Sequence, residues 1–391
     1  MRAYLDHNAT SPLRPQARDA MLDALDRGGN PSAVYAEGRA ARSGVERARG
    51  LLGDALGARP QSVVFTSGGT EAANLALLGG LAASGARRVL ISAVEHDAVD
   101  AAARASGVPV EIMPVDSRGV LDLAALDARL ADWDDAEGPP FVAVMAANYE
   151  TGVIQPIAEA ARLGRAAGGF LMVDAVQALG RTLIDLTVSG AHYIAVSAHK
   201  IGGPPGVGAL VFADDAPVAR RVHGGGQERG HRAGTENAPA IAGFAAALAP
   251  ALSEADHWAA VPRWRDALER DVLAQSPETI IAGREAPRLP NTTCLIPPGP
   301  SAETALIGFD LAGIALSSGS ACSSGKVAPS RVLQAMDLPA DRVKNALRVS
   351  FGWSSREDDA HRFQSAWGSV IARARAATAL NPSPRPLERS S

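Results

Sequence analysis

Through the first half of the chain, short apolar runs at residues 63–66, 89–92, 110–114, 141–146, 170–174, 193–197 and 209–212 alternate with stretches such as 71–81 and 156–167, whose apolar residues recur at helical spacing. Runs such as FVAVMAA and FLMVDAV are apolar at successive positions rather than at every second one. A strand of that kind must be covered on both faces, which predicts an α/β fold with a mostly parallel seven-stranded sheet between layers of helix. Ligands gather at the strand ends of such sheets, so the residues that close each run are the first candidates for chemistry.

Beyond the sheet the pattern changes. Residues 239–275 read as a long helix or helix pair, and β-rich runs at 292–296 and 347–351 then mix with helical segments, which predicts a smaller α+β domain. The expected division is a large domain over 15–255 and a small one built from 1–14 and 256–378. The tail at 379–391 has Pro and Ser without periodicity and is expected to be disordered.

Composition narrows the function classes. A length of 391 residues agrees with two domains, and 47% hydrophobic with 20% charged residues is the make-up of a globular enzyme. A formal net charge of −4 and the lack of a long basic run argue against a nucleic-acid partner. No apolar run is long enough to cross a bilayer and no secretory leader is visible, so a cytoplasmic location without membrane attachment is expected. Cys294 and Cys322 are the two cysteines, too few for a disulfide framework, and each is read as a single thiol.

Five places carry candidate chemistry. In FTSGGTEAANLAL a strand-like run ends in Ser67-Gly68-Gly69-Thr70 and enters a helix, where backbone N–H groups and the helix dipole suit an anion; alone it reads equally as a capped turn. Asp174 closes FLMVD, and a carboxylate at the edge of a buried strand needs a cation or several donors, although structural caps of this kind are common. In HYIAVSAHKIGGPPGVGALVF a strand delivers Ser197, His199 and Lys200 against a glycine-rich turn, a setting that makes a lysine amine available to an aldehyde cofactor. His96, just after a strand, can stack on a planar ring or move a proton, although a lone histidine is more often structural. Finally, LSSGSACSSGKVAPS surrounds Cys322 with small residues, giving an accessible thiol whose thiolate Lys326 would favour, whereas Cys294 reads as a packing residue.

Taken with YLDHNATSPL, NPSAVYAEGR, AVEHDAV, ETGVIQPI, VDAVQALG, GGGQERGHRAGTEN and LRVSFG, these segments resemble, in order and over roughly residues 4–360, the cysteine desulfurases of the NifS/IscS type. That group lies in the class-V aminotransferase family of fold-type I pyridoxal-phosphate (PLP) enzymes. The resemblance implies that Lys200 carries PLP as a Schiff base, that Asp174 pairs with the ring nitrogen, that His96 stacks on the ring and takes part in catalysis, and that Gln177 contacts the ring hydroxyl. Gly69, Thr70, Ser197 and His199 match phosphate-holding positions, and Thr235 matches one that reaches the phosphate of a neighbouring subunit, which implies a homodimer. Arg348 matches the arginine for the substrate carboxylate, with Asn8 approaching the same place. Cys322 would take sulfur from L-cysteine as a persulfide and pass it to an iron–sulfur scaffold protein or another acceptor, and it is also a candidate transient iron–sulfur ligand.

One departure stands out. Where the family has Asn-Asn-Glu-Thr-Gly, this chain has Asn148-Tyr149-Glu150-Thr151-Gly152, so either Tyr149 replaces the amide that meets the ring hydroxyl or Asn148 shifts into its place. Two alternatives share most of the motifs: a selenocysteine lyase or other class-V enzyme, which needs Lys200 but not Cys322, and a non-catalytic scaffold-binding protein.

Overall fold

The computed structural model describes residues 2–319 and 330–380. Its central element is a seven-stranded sheet in the order Val63–Thr66, Gly208–Phe212, Tyr193–Ser197, Phe170–Asp174, Phe141–Ala143, Val89–Ser92, Val110–Met113. Gly208–Phe212 runs antiparallel to both neighbours and the other pairings are parallel. Side chains alternate between two faces along each strand, and each face has its own apolar cluster. Val142, Val144, Leu171, Val173, Ile194 and Val196 pack on one side, and Phe141, Ala143, Met172, Tyr193 and Ala195 on the other.

The run at 141–146 is shorter as a strand than its apolar pattern predicts. Regular pairing stops at Ala143, but the Val144 and Ala146 N–H groups still donate to the Met172 and Asp174 carbonyls at 3.0 and 2.8 Å. The helix expected at 71–81 starts earlier, and Gly69–Asn74, a π-helical stretch Leu75–Gly79, and Gly80–Ser84 follow one another without a break. Gly80 lets this helix lie against the sheet, since a Cβ there would come within 2.6 Å of the Phe141 ring. The segment read as a long helix or helix pair is a pair, Ala238–Ser253 and Ala255–Gln275, bent by 71°.

A second, four-stranded antiparallel sheet has the order Ser317–Ser318, Leu347–Ser350, Thr292–Ile296, Ile280–Ile281. It packs with the helices Ala302–Leu311 and Glu357–Leu380 around Phe309, Phe363 and Trp367, and the first two rings are stacked at 5.1 Å. Cys294 lies fully buried in Thr292–Ile296, as a packing residue should.

The N-terminal segment ties the two sheets together. Ala3–Tyr4 pairs in parallel with Ile314–Ala315, Asp6 bridges to Ser350, and the chain then crosses to the large sheet, where Ser11 N–H donates to the His199 carbonyl at 2.9 Å and Arg14 N–H to that of Gly202 at 2.8 Å. Among the described residues no single helix is long and apolar enough to cross a membrane; the bent pair passes by length and composition, and Ile241, Phe244 and Leu248 on it are buried in the core. The tail read as disordered lies outside the described residues from 381 onward.

Candidate active site

Because the parallel strands share one direction, their carboxyl ends deliver their following residues to one edge of the sheet. A cavity of about 340 Å³ opens there, lined by Gly69, Thr70, His96, Tyr149, Asp174, Gln177, Ser197, His199 and Lys200 from those strand ends, together with Asn8 from the N-terminal segment and Arg348 from the four-stranded sheet. The structure therefore brings together every candidate in the described residues except Thr235, which is exposed and does not line this cavity within its own chain. Cys322, and with it the persulfide and iron–sulfur assignments, lies outside the described residues, as does Lys326. Among the described residues no group of three or more His, Cys, Asp or Glu side chains is arranged to hold a metal ion.

Asp174 is the most informative group. It is buried, and among the described residues its one hydrogen bond is from Val176 N–H at 2.9 Å and it makes no ion pair. Burial pushes its pKa up, opposed by the charges of His96 and Lys200. A carboxylate in that state is short of a cationic donor in the cavity. Across from it, the Lys200 amine donates to the Asn8 and Ala9 carbonyls at 2.5 and 2.8 Å.

His96 caps the helix Asp97–Ala105, its Nδ1 accepting the Ala98 N–H at 3.0 Å. Burial holds its pKa below the usual histidine value, with the charge of Asp174 opposing and that of Lys200 adding to the drop. The ring is therefore neutral near pH 7, and since Nδ1 accepts, the proton is on Nε2. His199, hydrogen-bonded to Thr10 Oγ1 at 3.2 Å, is likewise pushed down to about 4 by burial, Lys200 and Arg181.

The two possibilities at 148–149 separate cleanly. Asn148 is buried and spent on its own turn: Oδ1 accepts from the Glu150 and Thr151 N–H groups at 2.9 and 3.0 Å, and Nδ2 donates to the Val94 carbonyl at 3.2 Å. Tyr149 instead lines the cavity, its ring edge-on to His96 with centroids 5.1 Å apart. Tyrosine at this position thus takes up space that an amide would leave open.

Asn8 and Arg348 are more constrained than their expected substrate role suggests. The Asn8 carboxamide donates to the Tyr149 carbonyl and Thr292 Oγ1 at 3.2 and 2.9 Å and accepts from Arg181 and Asn291 at 2.9 and 3.2 Å, so a substrate group must displace one of these to bond it. Arg348 donates to Asp6 Oδ1 at 2.8 Å and to the Tyr149 carbonyl at 3.1 Å, and its buried Nε has no acceptor among the described residues. That Nε has no exposed surface, so an anionic ligand in the cavity must draw the guanidinium from Asp6 or from the Tyr149 carbonyl. Arg181, buried behind Lys200, was not among the sequence candidates; nothing in LGRT marks it, because its burial comes from the fold.

The class-V aminotransferase family model matches residues 3–363. A cysteine desulfurase of Cereibacter sphaeroides is 42% identical over 366 residues, covering 90% of this chain and 92% of the relative. An IscS-like cysteine desulfurase of Mycobacterium tuberculosis is 38% identical over 386 residues, covering 96% and 98%. The solved structure of a NifS-like protein from Rickettsia africae superposes with a TM-score of 0.87 at 31% identity, over 95% of this chain and all of that one.

The family is PLP-dependent, and the residues present fit that group. The cavity holds a lysine amine, a buried carboxylate with no ion pair among the described residues, and a strand-to-helix turn at Gly69 where a Cβ would come within 2.8 Å of Val176 Cγ2, so the backbone there is already packed to its limit. The sheet, the cavity at its carboxyl edge and the match across nearly the whole sequence agree: the chain belongs to the class-V aminotransferase family, with the fold-type I architecture of its PLP enzymes.

Proposed function

We propose that this chain is a PLP-dependent cysteine desulfurase, converting L-cysteine to L-alanine and passing the sulfur, through a persulfide on Cys322, to acceptors for iron–sulfur cluster assembly or for thiolation of tRNA or a cofactor. The observation that carries this reading is one cavity that presents Lys200, Asp174 and His96 from strand ends and Arg348 from the opposite side, in a chain whose relatives are named cysteine desulfurases.

In this reading Lys200 would hold the cofactor, with Asp174 at its ring nitrogen, His96 over the ring, Tyr149 and Gln177 at the ring oxygen, and Gly69, Thr70, Ser197 and His199 at the phosphate. When bound, the cofactor supplies an electron sink for the carbanion left by loss of the α-proton. Asp174 offers the negative charge that keeps the ring nitrogen protonated. The Lys200 amine, once released, takes the α-proton and returns one to the product carbon. Arg348 would receive the substrate carboxylate by exchanging its bond to Asp6 or to the Tyr149 carbonyl for one to the substrate. The Cys322 thiolate attacks the substrate sulfur as the carbon–sulfur bond breaks, so L-cysteine and the thiol become alanine and a persulfide with atoms and electrons balanced. Thr235, exposed in its own chain, would reach the phosphate bound to a second copy, making the working unit a homodimer.

The test is product analysis with L-cysteine and a thiol reductant. Alanine and sulfide formed in equal amounts by the PLP-loaded protein support the assignment; pyruvate and ammonia, or products from other amino acids only, would overturn it. Tyr149→Asn is expected to change kcat/KM for L-cysteine by about three- to tenfold and to shift the cofactor absorbance, because it removes a ring contact worth ~0.5–1.5 kcal/mol from His96. Unchanged turnover and absorbance would leave Tyr149 with no part beyond filling space.

A further inference from the structure

Arg181 is a guanidinium buried behind the cavity. Among the described residues it forms no ion pair, and burial together with the charge of Arg348 pushes its pKa down to about 9. A cation kept at such a cost calls for a reason beyond packing. Its hydrogen bonds supply one: Nη1 donates to Asn8 Oδ1 at 2.9 Å, to the Gln177 carbonyl at 3.3 Å and to Gln177 Oε1, while Nη2 donates to the Lys200 carbonyl at 3.1 Å.

A guanidinium has donors and no acceptor, so any amide beside it must present oxygen. Two cavity-lining amides are thereby fixed in one sense. Gln177 turns Oε1 to Arg181 and Nε2 the other way, where one N–H donates to the Asn8 carbonyl at 3.0 Å and the second is left for the cavity. Asn8 turns Oδ1 to Arg181 and Nδ2 to the Tyr149 carbonyl and Thr292 Oγ1. Without the guanidinium, only the bond to the Asn8 carbonyl opposes a flip of the Gln177 carboxamide that would face the cavity with a lone pair.

We propose that Arg181 is a positioning residue that locks the Gln177 carboxamide with its N–H edge toward the ring oxygen of the cofactor, so that this wall offers donors and selects the oxygen in its anionic form. The inference rests on the placement of the cofactor ring beside Gln177 proposed above. Arg181 acts only through its neighbours: it lies outside the lining of the cavity.

The lock makes the effect of Arg181 conditional on Gln177, which a double-mutant cycle of PLP affinity in the full-length protein, stripped of cofactor and titrated back, reads directly. Cofactor affinity, followed by absorbance on titrating PLP, is expected to fall about ten- to a hundredfold in Arg181→Met, the scale of losing an outer group that orients a ligand. In a Gln177→Ala background the same substitution should cost no more than about threefold, since the amide to be oriented is gone. If Arg181→Met does not fold, as judged by its thermal transition, Arg181→Lys serves instead; it keeps the charge but donates from one nitrogen, and a severalfold loss that again vanishes without Gln177 is expected. Unchanged affinity, or an equal loss in both backgrounds, would overturn the lock while leaving the proposed activity standing. An unsubstituted protein that binds no PLP would overturn both.

Discussion

In Lys200→Ala, alanine and sulfide release from L-cysteine is expected to fall by at least about 10³-fold, because one substitution removes both the cofactor's covalent anchor and the group that carries the α-proton. The amine lies in the cavity with its hydrogens directed at the Asn8 and Ala9 carbonyls, and no other described lysine is near to substitute for it. Lys200→Arg should fail as completely, since a guanidinium stays protonated and cannot condense with an aldehyde. That test has particular force in this chain, which contains three lysines, Lys200, Lys326 and Lys344, among 38 basic residues, so arginine has taken nearly every place where a positive charge alone is enough. Partial recovery of Lys200→Ala by an added small primary amine would support the proton-carrying part; activity within tenfold of native would remove Lys200 from the mechanism.

The second large effect is expected for Cys322→Ala: loss of sulfide and alanine release under turnover conditions, with PLP binding and the absorbance change on adding L-cysteine both retained. The split follows from the chemistry, since the thiol is needed only once the substrate is held and its carbon–sulfur bond is ready to break. Sulfide release at the native rate would leave the fold and cofactor intact but sink the persulfide route, and substrates that carry no cysteine sulfur would then have to be tried.

Much of the fold is visible in the sequence because covered parallel strands leave an unmistakable mark: runs such as FLMVD and YIAVS have no polar face, and the chain forms strands at Phe170–Asp174 and Tyr193–Ser197. Residues 144–146 look identical by composition, yet regular strand pairing ends at Ala143: Val144 and Ala146 still donate to the neighbouring strand, but the Met145 N–H is given to Glu95 Oε1 at 2.7 Å instead of to a strand. The π-helical turn at Leu75–Gly79 has no periodic signature, since five residues are too few to shift a hydrophobic stripe. At the site, Lys200 and Asp174 are legible because each closes an apolar run. Arg181 and the crowded surroundings of Asn8 are not, because hydrogen bonds to partners as remote as Asn291 and Thr292 exist only after the four-stranded sheet has packed.

The crossing made by the N-terminal segment has a bearing on how the protein is made. Ala3 waits for Ile314, and Asp6 for Ser350, while Ser11 and Arg14 of the same short stretch grip the loop that holds Lys200. Residues 3–6 therefore find their places only after residues 314 and 350 have been made, and the large sheet can form well before the cavity closes. A growing chain would have the walls of the site built while the Asn8 side is still missing, so cofactor capture is expected to follow the pairing of Asp6 with Ser350.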